Sequence, residues 1–289
     1  MVDKSILKKC RNLVDAADSV LISAGAGMSV PAGINYYDTQ KFAELFPGLV
    51  KKGYKMQYEL ITHHAVNDRK GWTPAVKWGY LAPHINYVYY MIQKDTTYQR
   101  LYSLIKDKDY FVMTTNVDGL FVQNNFSKDR IYTPQGSFSR IQCMKACSDE
   151  TWDVKPVIDK ILPLINPTTQ EVNDLSCIPS CPRCGGDMFM NVRGGSWFID
   201  RPYELQKAAL NKWINNTVDK RLVVLDIGTG SNTPGVVRWP AENIIMQHRS
   251  GTLIRINLYD SEVPKEIQNK SISINDDISE FMRGVFDIN

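Results

Sequence analysis

Short, continuous apolar runs that end in glycine or small polar residues constrain the fold of this chain most. The run at 20–22 leads into a glycine-rich turn at 23–27, the run at 110–113 leads into 114–116, and the run at 222–225 leads into 226–230. Two further runs lie at 253–256 and 272–274. Runs without polar alternation are typical of parallel strands that helices cover on both faces. Apolar residues at helical spacing occur at 6–17 and again at 210–218. We therefore predict an α/β fold with a Rossmann-like parallel sheet.

The charge balance excludes two classes of binding partner. The 289 residues carry 34 basic and 31 acidic side chains, a net charge of +3. A chain so balanced is not expected to bind nucleic acid or an anionic membrane surface. No apolar run approaches the roughly 20 residues that span a bilayer. The basic first residues lack the apolar segment of a secretory signal, so we expect a cytoplasmic protein.

The cysteines indicate a small metal-binding module. Five of the six lie between 143 and 184, and clustered cysteines in a reducing compartment favour metal over disulfides. Two chelating pairs, Cys143 with Cys147 and Cys181 with Cys184, predict a structural tetrahedral zinc site without an open position. Cys177 could compete as a ligand, and a site degraded to free thiols or a redox pair is the alternative. Cys10 lies on a helical stripe and is expected in the core.

These patterns divide the chain into three expected parts. Residues 1–35, 107–137 and 218–289 would form the Rossmann-like domain. Residues 36–106, which are helical in composition and rich in tryptophan and tyrosine, would form a helical insert or lid. Residues 138–217 would form the zinc-ribbon module and a return helix. The aromatic side chains of the lid would pack its own core, or a few of them would line a substrate groove.

The first glycine turn has the composition of a phosphate cradle. A strand followed by glycine and a helix lets the backbone approach a pyrophosphate, and the helix N-terminus supplies N–H groups. Gly25 and Gly27 fit this pattern, but Val30 stands where the dehydrogenase fingerprint has its third glycine. On its own, such a glycine pair is equally well explained as a tight structural turn.

Four longer motifs carry a resemblance to a known family. The string 25–34, GAGMSVPAGI, resembles the cofactor loop of the sirtuins, and 114–120, TTNVDGL, resembles their T-x-N-(I/V)-D-G-L motif. The string 181–186, CPRCGG, is similar to their zinc knuckle, and Gly228-Thr229-Gly230-Ser231 with Ile256-Asn257 resembles their second turn. The motifs occur in the family's order and span residues 20–260.

The resemblance implies a sirtuin fold, NAD⁺ as the consumed substrate and a structural zinc. By resemblance, Asn116 positions the ribose or the attacking group, and Asp118 grips the nicotinamide carboxamide. The expected cofactor-binding residues are Gly25, Ala26, Gly27, Ser29, Ala32, Gly33, Tyr37, Asn116, Asp118, Gln135, Gly228, Thr229, Gly230, Ser231 and Asn257.

Two departures from the family pattern predict a change of reaction. Gln135 stands where deacylating sirtuins have a histidine, and a carboxamide cannot act as the general base that imidazole provides. In the cofactor loop, Tyr37 replaces the phenylalanine that guards the reactive ribose, and Asp38 replaces a basic residue. Both departures resemble the macrodomain-linked sirtuins, class M. That resemblance implies transfer of one ADP-ribose to a lipoylated carrier protein similar to the glycine-cleavage H protein, with a macrodomain hydrolase as functional partner.

Three further hypotheses stay open at this stage. Arg193 would bind or orient an acidic acceptor or the departing group, or it is a solvated surface arginine. His63 or His64 could supply a base from the lid, although solvation or packing is the simpler role. The alternative activities are an NAD⁺-dependent lysine deacylase and a catalytically silent NAD⁺-binding module. We expect Asn116, Gln135 and Arg193 to be the catalytic residues.

Overall fold

The computed structural model describes residues 2–60 and 71–287. Its strands, in chain order, are β1 Ser19–Ala24, β2 Asp109–Thr114, β3 Ile131–Tyr132, β4 Gly136–Cys143, β5 Thr151–Asp153, β6 Ile165–Asn166, β7 Glu171–Val172, β8 Met188–Val192, β9 Leu222–Ile227, β10 Gly251–Ile256 and β11 Ser271–Ile274. The α-helices of the described residues are α1 Lys4–Ala16, α2 Thr39–Leu45, α3 Pro47–Lys51, α4 Pro74–Ile85, α5 Thr96–Ile105, α6 Leu120–Gln123, α7 Lys155–Ile161, α8 Glu204–Asn215, α9 Arg238–Gln247 and α10 Ile278–Asp287. None of these helices is long and apolar enough to cross a bilayer.

The chain forms two compact units. The first contains Met1–Gly33, Gln93–Gln135 and Tyr203–Asn289, and the second contains Ile34–Ile92 and Gly136–Pro202. This division differs from the expected ranges. Helix α5, expected in the lid, belongs to the first unit because it packs against α10. Helix α8, expected with the zinc ribbon, also belongs there, since its Trp213 contacts Phe111 of β2 at 5.9 Å between ring centroids.

A six-stranded parallel sheet forms the centre of the first unit, which confirms the predicted fold class. The strand order is β11-β10-β9-β1-β2-β3, and every pairing is parallel. All six residues of β1 and of β9 are buried, as expected for strands with helices on both faces. Strand order reverses between β1 and β9, and the crevice at such a switch point is the usual ligand site of open α/β sheets.

The second unit is built around antiparallel strands. Strands β5, β4 and β8 form a three-stranded sheet, and β6 pairs with β7 as a hairpin. Helix α4 packs closely on this hairpin, because a Cβ at Gly79 would lie 2.0 Å from the carbonyl oxygen of Gln170. The Gln170 side chain in turn donates to the Gly79 carbonyl at 2.9 Å. The contact joins two segments far apart in sequence into one core.

Candidate functional site

Two glycine turns lie against each other at the switch point of the sheet. Gly25 follows β1 and Gly228 follows the adjacent β9, and the Gly25 N–H donates to the Ile227 carbonyl at 3.0 Å. A Cβ at Gly25 would lie 2.6 Å from the Gly228 carbonyl oxygen, and one at Gly27 would lie 2.7 Å from the Gly228 Cα. Gly228 itself has φ of +63°. The glycines are therefore required by backbone contact, independently of any ligand.

The same turns leave space where a ligand would need it. A Cβ at Gly230 would meet no atom within 4 Å, so the far side of the second turn is open. Residues Ala26–Ser29 form one turn of 3-10 helix directly after the first glycine. The turn lies at the carboxyl ends of parallel strands and has open space beside its glycine backbone. A pyrophosphate can approach such a backbone closely.

A buried hydrogen-bond network surrounds the Ser29 hydroxyl. Ser29 Oγ donates to Asp118 Oδ2 at 2.6 Å, accepts from Asn116 Nδ2 at 2.9 Å, and lies 2.9 Å from the Tyr98 hydroxyl. Asp118 Oδ1 accepts from the backbone N–H of Leu120 at 2.9 Å. Burial is the main cause that raises the pKa of Asp118, and the Ser29 and Leu120 hydrogen bonds act against it. The structure thus joins three of the predicted site residues and adds Tyr98.

Backbone contacts place this network beside the first glycine turn. The Thr114 hydroxyl at the end of β2 donates to the Ala24 carbonyl at 3.0 Å and accepts from the Asn116 N–H at 3.0 Å. Gly119, with φ of +79°, then turns the chain into α6. Because β1 and β2 are adjacent and parallel, their carboxyl ends bring positions 24 and 116 together.

Gln135 carries an unsatisfied buried acceptor. Its Oε1 atom is buried and has no hydrogen-bond partner among residues 2–60 and 71–287. A buried polar atom without a partner is costly in a native protein and points to a ligand or an ordered water. The chain segment that leads to Gln135 is held in place. The N–H and the hydroxyl of Thr133 both donate to Gln206 Oε1 of α8, at 3.0 and 3.3 Å.

A buried ion network supports the second glycine turn and was missed in the sequence. Arg255 donates to Asp226 Oδ2 at 2.7 Å and to Glu242 at 2.8 Å, and it is 1% exposed. The Thr229 hydroxyl donates to the other Asp226 oxygen at 2.5 Å, and Arg238 donates to the Thr229 carbonyl at 3.0 Å. Burial raises the pKa of Asp226, and the positive charge of Arg255 opposes that effect. The sequence did contain one indication of this network: Asp226 and Arg255, of opposite charge, each interrupt an apolar strand.

The remaining predicted residues of the second turn are engaged within the protein. Asn257 donates through Nδ2 to the Thr229 carbonyl at 2.8 Å, and its Oδ1 accepts from the N–H groups of Tyr259 and Asp260. The Ser231 hydroxyl donates to an Asp260 oxygen. In the first loop, the N–H of Ala32 donates to the Ser29 carbonyl at 3.2 Å, and Gly33 has φ of +94°. These contacts fix the shape of both loops.

Tyr37 and Arg193 belong to the second unit. Tyr37 is 57% exposed and stacks on Tyr58, with ring centroids 4.6 Å apart. The Arg193 guanidinium lies over the Phe198 ring at 4.3 Å and pairs with Asp200 at 3.4 Å. These two contacts hold the guanidinium in place.

The four predicted zinc ligands form a cluster in the second unit. Sγ of Cys143 lies 3.6 Å from that of Cys184, Sγ of Cys147 lies 3.5 Å from that of Cys181, and all four sulfurs lie within 4.8 Å of one another. Tetrahedral Zn–S bonds of about 2.3 Å require sulfurs about 3.8 Å apart, so the four thiols fit zinc. Cys177 lies outside this cluster, and its thiol donates to the Asp174 carbonyl at 2.9 Å.

The histidines give no base in the first unit. Among its described residues the histidine is His248, whose Nε2 bonds the Thr217 carbonyl at 2.9 Å and whose Nδ1 accepts from the Ser250 N–H at 3.2 Å. Both ring nitrogens are thus occupied by structural contacts. His63 and His64 lie outside the described residues, so the hypothesis of a base from the lid stays a prediction.

Comparison with known proteins relates the chain to two named proteins. It is 36% identical over 275 residues to a probable bifunctional ADP-ribose hydrolase/ADP-ribosyltransferase of Fusarium oxysporum f. sp. cubense, covering 92% of this chain and 45% of that protein. It is 26% identical over 271 residues to a protein ADP-ribosyltransferase of Staphylococcus aureus, covering 93% of this chain and 83% of that protein. The chain thus spans about half the length of the first relative. No family model matches the chain.

Solved structures agree in fold. A Sir2 homologue in complex with 2′-O-acetyl ADP-ribose superposes with a TM-score of 0.62 at 20% identity, covering 99% of this chain and 95% of that one. A Sir2 homologue in complex with NAD gives the same TM-score and identity and covers 99% and 93%. These likenesses confirm the predicted sirtuin fold, and the sequence relatives confirm the predicted resemblance to ADP-ribosyltransferases.

Proposed function

We propose that this protein transfers one ADP-ribose from NAD⁺ to a lipoylated carrier protein and releases nicotinamide. The observation that carries the proposal is the Ser29–Asn116–Asp118 network, which lies at the carboxyl ends of β1 and β2 beside two glycine turns. The names of both sequence relatives support transferase chemistry. Deacylation needs a general base at position 135, and the carboxamide of Gln135 cannot act as one, so this position favours ADP-ribose transfer over deacylation.

The substrate NAD⁺ supplies the glycosidic bond that breaks, and the electron pair of that bond leaves with the nicotinamide nitrogen. The acceptor's nucleophilic atom then forms the new bond to C1′ and loses its proton to water. In this scheme Asp118 holds the nicotinamide carboxamide, and Asn116 orients the ribose. Oε1 of Gln135, which has no hydrogen-bond partner in the described part of the chain, accepts a hydrogen bond from a ribose hydroxyl and holds the sugar without removing its proton. The nucleotide would lie against the backbone of the two glycine turns and their loop residues, which are Gly25, Ala26, Gly27, Ser29, Ala32, Gly33, Gly228, Thr229, Gly230, Ser231 and Asn257. Tyr37 stays an expected contact by resemblance alone.

Arg193 and the four cysteines have proposed roles in acceptor binding and in zinc binding. We assign to Arg193 the binding of an acidic acceptor, because its guanidinium is steadied on Phe198 and its fork matches a carboxylate. Zinc held by Cys143, Cys147, Cys181 and Cys184 would be structural, since four thiolates leave no open position for substrate. A macrodomain hydrolase that removes the modification is the proposed functional partner, and the first relative, whose name combines an ADP-ribose hydrolase with an ADP-ribosyltransferase, supports that pairing.

The experiment uses NAD⁺ labelled in its adenosine half with the carrier protein in lipoylated and unlipoylated forms. We expect label on the lipoylated carrier in equal amount to the nicotinamide released. Asn116→Ala should lower the rate by about 100-fold, as the loss of a preorganised polar contact does. Asn269→Ala, at an exposed position of the 3-10 helix Lys265–Lys270, is the matched control and should match the wild-type rate. Bound NAD⁺ without label on either carrier would refute the proposal, and acyl-ADP-ribose from an acylated peptide would favour the deacylase.

A further inference from the structure

Tyr98 is the member of the buried network that the family motifs do not contain. It lies in the first turn of α5, where the Asp95 side chain accepts from the N–H groups of Thr97 and Tyr98 at 2.8 and 3.1 Å. Its ring is fully buried and packs edge-on against Phe121, with centroids 5.0 Å apart. Its hydroxyl lies 2.9 Å from Ser29 Oγ. The phenol is therefore fixed at both ends.

Donor and acceptor counting sets the direction of every bond at Ser29. A serine hydroxyl has one proton and two lone pairs, and an ionised carboxylate can only accept. The Ser29 hydroxyl therefore donates its proton to Asp118 Oδ2, at 2.6 Å. The two lone pairs of Ser29 must then be filled by donors, which are Asn116 Nδ2 at 2.9 Å and the Tyr98 hydroxyl at 2.9 Å.

The same counting fixes the carboxamide of Asn116. Since Ser29 has no second proton to give, the Asn116 atom that faces it must be the nitrogen. The carbonyl oxygen of Asn116 then lies on the other side of the amide, away from Ser29. An acceptor in that position suits a ribose hydroxyl.

We propose that Tyr98 is a positioning residue: by donating to Ser29 it keeps the Asn116 oxygen available to the substrate ribose and keeps the Ser29 hydroxyl donating to Asp118. The inference rests on the proposed function for its substrate, but the arrangement itself is a property of the protein without ligand. Tyr98 does not touch the reacting atoms. Its effect passes through Ser29 to both side chains that would hold the nicotinamide riboside, and a hydrogen bond between the Tyr98 and Asn116 side chains adds a direct path to Asn116.

The first test needs no activity. In protein labelled with ¹⁵N-asparagine, Tyr98→Phe should shift or broaden the side-chain amide signal of Asn116, which Asn116→Asp identifies by its disappearance. Tyr102→Phe, one turn later on α5 and partly buried against Phe126, should leave that signal unchanged. The other asparagine signals report whether each variant is folded. An unchanged Asn116 signal in folded Tyr98→Phe would overturn the inference.

The second test uses transfer kinetics. Tyr98→Phe should lower kcat by ten- to a hundredfold, the effect of one hydrogen bond within a charged network, with little change in KM for NAD⁺. It should also move the acid limb of the rate profile to higher pH, because Ser29 becomes a weaker donor to Asp118. In a Ser29→Ala background, Tyr98→Phe should cost less than it does in the wild type, since both changes interrupt the path through Ser29. Additive losses, or wild-type kcat in Tyr98→Phe, would refute the inference, whereas a wild-type protein that transfers nothing would refute only the proposed function.

Discussion

His84 should make the second unit sensitive to mild acid. The side chain is 1% exposed on α4, stacks on Tyr80 with centroids 5.4 Å apart, and meets the Phe138 ring edge-on at 5.0 Å. Its Nδ1 atom is buried without a hydrogen-bond partner among the described residues. Burial lowers the pKa of His84 from 6.5 to about 4, because an imidazolium in this aromatic environment has lost its hydration.

The sign and size of the effect follow from that shift. Between pH 6.5 and 4 the unfolded chain binds a proton at His84 that the folded chain does not, so the free energy of unfolding falls as the pH is lowered. The stability that neutral His84 contributes to the folded state is fully present above pH 6.5 and is lost by about pH 4. A shift of about 2.5 pH units corresponds to about 3 kcal/mol at about 1.36 kcal/mol per unit.

The assay is denaturant unfolding from pH 4 to 8 at constant ionic strength, for the wild type and for His84→Leu. The variant loses packing at every pH, but its difference from the wild type should shrink by about 3 kcal/mol between pH 7.5 and pH 4. Protonation of the cysteine cluster affects both proteins and cancels in this difference. A difference that stays constant across the range would refute the reasoning, because it would show that His84 takes up its proton without cost.

Three further predictions concern the site and its supports. Gln135→His should create or strongly raise release of acyl-ADP-ribose from an acylated peptide, measured by mass spectrometry; unchanged products would show that the missing base is not the barrier to deacylation. Cys181→Ser should abolish the bound zinc found by atomic absorption and cost much of the roughly 10 kcal/mol that a structural zinc contributes, whereas Cys177→Ser should keep one zinc per chain. Gly228→Ala should cost about 2–3 kcal/mol in thermal unfolding, since its Cβ would lie 2.5 Å from the backbone nitrogen of Met28. The matched control Gly53→Ala also has positive φ, of +93°, but meets nothing within 4 Å, so it should cost only about 1 kcal/mol, and equal losses would contradict the contact argument.

Strands, glycine turns and ligand cysteines could be predicted because each is encoded in a short stretch of sequence. The five predicted strands all exist, and the two cysteine pairs meet as expected. The return helix was placed correctly at Leu210 and Trp213, but it ends at Asn215, and Val218 beyond it is 56% exposed. That boundary was missed because an apolar residue at helical spacing does not show where a helix ends.

The contacts that could not be predicted join distant segments. Tyr98 meets Ser29 across 69 residues, and in sequence it is one of many aromatic residues at helical spacing. Asp226 and Arg255 pair because β9 and β10 are adjacent strands that place these two residues opposite each other. A local sequence pattern does not show which strands are adjacent. The second unit is assembled from two separate stretches, so the aromatic environment of His84 depends on Phe138, which lies in the other stretch.

The contact between the two glycine turns has a consequence for laboratory evolution. Where side chains collide, a library commonly recovers function by making the partner smaller. Here the atoms that a new Cβ would strike at positions 25, 27 and 228 are main-chain atoms, which no substitution can shorten. Randomising the three codons together and selecting for folded protein should therefore return the parental triplet, with no reciprocal pairs among the survivors.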